Sequence, residues 1–120
     1  KPMENLPMLV GTPLSQENKL TVLCRVEPGC LGPDGKDHIE GFCRFALTEM
    51  TPINSSFVHW IITPRYDKTL PEIQYLLLDR KLSYLQAAKY LETLGQDPDD
   101  FATALDEKLA SLIEQYLEQP

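Results

Sequence analysis

Long apolar runs, a basic stripe and paired cysteines are what this 120-residue sequence lacks. No stretch approaches the roughly 18 apolar residues that would suggest a membrane span. Eleven lysines and arginines are dispersed among eighteen acidic residues, for a formal net charge of −7. A nucleic-acid binder replaces phosphate counterions with clustered cations, and an anionic bilayer repels an acidic surface. Nucleic acid and membrane are therefore not expected partners. The three cysteines, Cys24, Cys30 and Cys43, contain no C-x-x-C pair. An odd number at irregular spacing does not make a disulfide framework, and free thiols suit a reducing compartment. The first residues show no charged, apolar and small-residue leader pattern. The expected location is cytoplasmic.

What is present is ordinary for one folded domain. Apolar residues make up 42 % and charged residues 24 %, close to globular averages. A chain of this size buries roughly two-thirds of its unfolded surface without staples. Residues 1–18 read as an irregular arm, with Pro2, Pro7, Gly11 and Pro13 around Leu6, Met8, Leu9 and Val10. Residues 19–120 read as a single α+β domain.

Leu20, Val22, Cys24 and Val26 alternate with more polar residues, the period of a half-buried strand. Pro28-Gly29 ends it. Asp37 with Glu40 three residues on predicts a capped helix start. Ile39, Phe42, Cys43, Ala46, Leu47 and Met50 then fall on one apolar face. Residues 57–66 are aromatic and β-branched and predict a second strand. Both of its faces are largely apolar, so cover on both sides is expected. Residues 72–80 predict a third strand, hairpinned to the second. A helix running from there to Leu94 is the alternative.

Ser83 with Gln86 forms a second capping box, and Gly95 follows the end of that helix. Asp97-Pro98-Asp99-Asp100 opens the last helix, where acids favour the positive end of the dipole. The expected fold is a small three-stranded sheet in the order β-α-β-β-α-α. One helix lies on a face, and the C-terminal helical pair lies on the other face or at an edge. Either that pair or a second copy of the chain must cover Phe57, Ile61, Ile73 and Tyr75, so a homodimer is one expectation.

Cys24, Cys30, His38 and Cys43 carry the atoms of a Cys₃His zinc site, but not its spacing. Cys24 and Cys43 lie on apolar faces, where cysteine acts as a small hydrophobe. No metal and no cofactor is expected. Cys30 sits in a Gly/Pro loop before a helix. With His38 or His59 brought near through the fold, it is the candidate for thiol chemistry. Gly32, Gly35 and Lys36 lie in the same loop, which could aim amides at an anion. The phosphate-loop pattern is absent, since Asp37 follows Lys36, and so is the dinucleotide pattern. Pro33 removes one donor, and Glu27, Asp34 and Asp37 would repel phosphate. Arg65, Tyr66, Asp67, Asp79 and Arg80 are expected to gather at the hairpin ends as ion pairs or around a pocket.

Charge is uneven. From Ser83 onward two lysines face eight acids, which is −6 of the total −7. Such a surface steers a basic partner. Asp99, Asp106 and Glu107 are the candidate contacts. The leading expectation is a small non-catalytic protein-interaction or regulatory module. The alternative is a small enzyme or ligand-binding domain with an anion or thiol site at residues 29–37.

Overall fold

The alternation that starts at Leu20 produces a central strand, β1 (Leu20–Val26), whose even-numbered residues are all buried. The computed structural model describes residues 14–119. After β1 come a short 3₁₀ turn (Pro28–Leu31) and helix α1 (Gly35–Met50). Strand β2 (Val58–Pro64) then pairs parallel to β1, with Leu20 opposite Val58 and Val26 opposite Pro64. A parallel return needs a crossover of a dozen or more residues, which α1 supplies.

The chain next passes to the other side of β1. Strand β3 (Ile73–Leu77) runs antiparallel to it, with Thr21 opposite Leu76 and Cys24 opposite Ile73. A tight turn leads into β4 (Arg80–Leu82), then helices α2 (Tyr84–Thr93) and α3 (Pro98–Leu117). The sheet order is β2-β1-β3-β4. The fold is α+β as expected, with four strands rather than three.

Several details differ from the sequence expectation. The third strand is broken because Leu78 and Asp79 both adopt positive φ, at 54° and 63°. Two successive left-handed residues are the geometry of a type I′ hairpin turn. The helix alternative for this stretch does not occur. The expected hairpin between the second and third strands is absent, because β1 lies between them. Arg65 and Asp79 fall at opposite ends of the sheet, so the polar residues expected at the hairpin ends do not form one cluster. Helix α1 starts at Gly35 rather than Asp37, capped by Asp34 without a side-chain bond. The reason is local: the amide of Asp37 already donates to the Asp34 carbonyl, at 3.0 Å. The arm expected at 1–18 lies outside the described residues up to position 13. Its last part is anchored, with the Leu14 amide bonded to the Ser56 carbonyl and the Tyr90 hydroxyl to that of Asn18.

Helix caps follow the sequence closely. Ser83 and Gln86 exchange their bonds at 2.8 and 3.1 Å. The Asp97 carboxylate accepts the amides of Asp99 and Asp100 at 2.9 and 3.1 Å.

All three helices cover one face of the sheet. Leu20, Val22 and Cys24 are fully buried there with Val58, Trp60, Ile62 and Tyr75. Phe42 of α1 meets Tyr116 of α3 edge-on at 5.6 Å between ring centres. Phe101 of α3 stacks on Trp60 at 6.2 Å. Such pairs add roughly 0.5–1.5 kcal/mol each beyond their burial. The opposite face carries Thr21, Leu23, His59, Ile61, Gln74 and Leu76, and Ile61 is 40 % exposed. Two-sided cover of β2 is thus not found among the described residues. Of the four residues thought to need a cover, Tyr75 is buried by this chain's own helices, and Phe57 and Ile73 pack against the same core.

The β3–β4 turn makes a simple prediction. A leucine in the left-handed region costs about 1–2 kcal/mol, and Leu78 is 62 % exposed. Replacing Leu78-Asp79 with Asn-Gly removes that cost and loses little packing. The melting temperature should rise by a few degrees, for about 1 kcal/mol of added stability. A fall on thermal denaturation would refute the turn assignment.

Candidate functional site

Two regions gather chemistry, and they lie on different elements. The first is built around α3. Phe101 and Leu105 turn inward onto the sheet, while Asp99, Asp100, Asp106 and Glu107 remain exposed. These acids form a ridge with an opening on each side.

On one side is a groove of about 410 Å³ between the end of α1 and the start of α3. Its floor is apolar, made by Met50, Trp60, Phe101 and Leu105, and Ala104 stands on its lip. Asp97, Asp100 and Lys108 line its polar margin. Trp60 is held in place by a hydrogen bond: its Nε1–H donates to the carbonyl of Ile53, which also lines the groove, at 2.7 Å. The site has the usual make-up of a binding groove, an apolar floor with a few polar groups at the rim.

On the other side, Tyr75, Tyr84 and Asp106 border a second cleft of about 410 Å³. The Tyr84 hydroxyl donates to Asp99 at 3.1 Å, and the neighbouring carboxylate raises its pKa. Leu85 beside it is 73 % exposed. The three candidate contacts Asp99, Asp106 and Glu107 therefore share one helix. Asp106 lines this cleft, Asp99 holds the tyrosine at its edge, and Glu107 is exposed on the ridge.

The second region lies at the carboxyl ends of the parallel strands. The loop leaving β1 and the loop leaving β2 are neighbours there because the strands are. The Arg65 amide donates to the Val26 carbonyl at 2.8 Å, tying the two loops together. Between them is a pocket of about 470 Å³, lined by Glu27, Cys30, Lys36, Arg65, Tyr66 and Lys68 among others. Arg65 is fixed by bonds from Nε to the Leu70 carbonyl and from Nη2 to the Lys68 carbonyl, both 3.0 Å. Asp67 shapes this loop by accepting from the amide and hydroxyl of Thr69. Those bonds hold its carboxyl below the usual range.

The loop residues singled out in the sequence divide. Lys36 and Cys30 line the pocket. Gly35 is buried beneath it, and Gly32 adopts positive φ in the preceding turn. Glu27, Arg65 and Lys68 complete the site. Glu27 borders the loop in sequence, whereas sequence proximity could not place Arg65 and Lys68 with Lys36. The candidate acid–base partners do not join Cys30. His59 faces the open side of the sheet, in a separate cleft with Thr21 and Asp79. His38 is exposed on α1 and lines neither opening.

The zinc grouping is not assembled either. Cys24 and Cys43 are buried in the core while Cys30 is exposed. Among the described residues no group of three or more His, Cys, Asp or Glu side chains is placed to hold a metal ion. No described helix is long and apolar enough to cross a membrane. Comparison with protein-family models, with curated proteins and with solved structures finds no match.

Proposed function

We propose that this domain is a non-catalytic interaction module that recognises a basic, partly apolar protein segment along α3. The observation that carries this reading is the apolar groove over Trp60 and Phe101 directly beside the acidic ridge. Interfaces draw most of their affinity from a few desolvated apolar or aromatic contacts. Charges around them set encounter rate and choice of partner. An apolar side chain of the partner fills the groove, and its lysines or arginines lie along Asp99, Asp100, Asp106 and Glu107. The −6 charge of the segment from Ser83 onward favours such a partner over an acidic one.

Two variants separate the contributions. Ala104→Trp closes the groove from an exposed position, and a triple change Asp99→Lys, Asp106→Lys, Glu107→Lys reverses the ridge. Proteins captured from native lysate by the wild type should be lost with Ala104→Trp, while the fold stays intact by circular dichroism. The charge variant should lose those same proteins, and raised salt should weaken their capture by the wild type. An identical set of captured proteins from all three forms would refute the proposed surface.

A further inference from the structure

The pocket at the carboxyl ends of β1 and β2 takes no lining residue from α3 and concentrates cations in an acidic chain. Lys36, Arg65 and Lys68 line it against a single carboxylate, Glu27. This lining excess of two positive charges stands out in a chain whose net charge is −7. The further acids nearby are Glu40, on the Tyr66 hydroxyl, and Asp67, beside Arg65. Arg65 is not a loose surface residue: its side chain is only 16 % exposed. Its Nε and Nη2 are committed to loop carbonyls, which leaves Nη1 for the pocket. Glu27 Oε1 lies 3.4 Å from that Nη1 and 3.4 Å from Lys68 Nζ. Tight charge-assisted bonds are about 2.7–2.9 Å. The chain's own carboxylate thus occupies the cationic position without binding it closely.

We infer that this pocket binds a phosphate monoester, whose phosphate sits among Lys36, Arg65 and Lys68 in competition with Glu27. A phosphate monoester carries about −1.5 to −2 charges near neutral pH, which suits three cations once Glu27 is displaced. A carboxylate brings a single charge, no more than Glu27 already supplies. The volume exceeds that of a bare phosphate and falls within the range of small-ligand pockets, roughly 300–1,000 Å³.

Cys30 lines the same pocket and is the exposed thiol, while Cys24 and Cys43 are buried. Its alkylation rate is therefore a built-in reporter. Inorganic phosphate at millimolar concentration should slow the reaction of Cys30 with iodoacetamide at least threefold, relative to sodium chloride of equal ionic strength. Glu27→Gln removes the competitor, so protection should appear at several-fold lower phosphate. Lys68→Gln and Lys36→Gln should each weaken protection. A gain of binding in Glu27→Gln is not something a partly unfolded variant would produce.

O-phosphoserine and glucose 6-phosphate, used in place of phosphate, tell a phosphorylated side chain from a phosphorylated metabolite. Whichever protects at the lower concentration identifies the source. Equal slowing by chloride, or protection unchanged in Glu27→Gln and Lys68→Gln, would overturn the inference.

Discussion

Gly35→Ala should destabilise the domain by about 3 kcal/mol or more, among the largest single-site effects in this chain. A β-carbon at position 35 would lie 1.7 Å from the Pro28 carbonyl oxygen and 2.6 Å from its carbon. Both atoms are backbone, so no rotamer change relieves the clash. The first turn of α1 would have to separate from the 3₁₀ turn at Pro28–Leu31. That separation would also open the pocket that holds Lys36 and Cys30. Gly29→Ala is the matched control, since nothing lies within 4 Å of its added carbon. Urea denaturation should show Gly29→Ala within about 0.5 kcal/mol of wild type and Gly35→Ala far below it. Equal midpoints would refute the close approach of these two turns.

The second large effect is alkaline unfolding. Burial, with a contribution from the Asp106 charge, pushes the Cys24 thiol up to about 12. Burial and Glu40 push Cys43 up to about 11, against a smaller opposing effect of Arg44. Burial and neighbouring Tyr84 raise Tyr75 to about 12. In the unfolded chain these groups ionise near their ordinary values, about 8.5 for cysteine and 10 for tyrosine. Between the two sets of values the unfolded chain has released protons that the folded chain retains. Stability therefore falls as pH rises. The contribution is fully present below about pH 8.5 and is lost as pH climbs toward 12. Each unit of displacement is worth about 1.4 kcal/mol, so three such groups remove several kcal/mol.

Melting temperature should drop steeply between about pH 9 and 11. Cys24→Ala should lower stability at neutral pH yet flatten that alkaline slope. An unchanged slope in Cys24→Ala would show that Cys24 is not protonated in the folded core at high pH.

How far these features can be read from sequence depends on how local their causes are. The caps at Ser83 and Asp97 were legible because both partners lie within three residues and bond whenever the helix forms. The alternation in β1 and the stripe on α1 were legible for the same reason, although Leu47 ends up 37 % exposed. Position 78 was not legible, because leucine has no left-handed preference. The turn there is imposed by pairing Leu77 with Arg80.

The start of α1 was missed because Asp37 and Glu40 imitate a capping box. The close approach of Gly35 to Pro28 is a tertiary fact. The expected two-sided cover of β2 failed because Phe57 precedes the strand and turns toward Phe101, at 6.4 Å between ring centres. The sites show the same division. Acidic residues of α3 are close together in sequence and could be proposed directly. The groove needs Trp60 and Phe101 from distant segments. The cationic pocket needs Lys36 beside Arg65 and Lys68, which only the parallel pairing of β1 with β2 provides.

The proposed role of α3 is tested most directly through Trp60, the single tryptophan of the chain and part of the groove floor. A short peptide of alternating lysine and leucine, titrated into the intact protein, should shift or quench its emission to saturation. The change should weaken with added salt and disappear in Ala104→Trp. A double variant, Trp60→Phe with Ala104→Trp, supplies the emission of the introduced indole for subtraction. Emission that stays constant through millimolar peptide would contradict the groove as the recognition site.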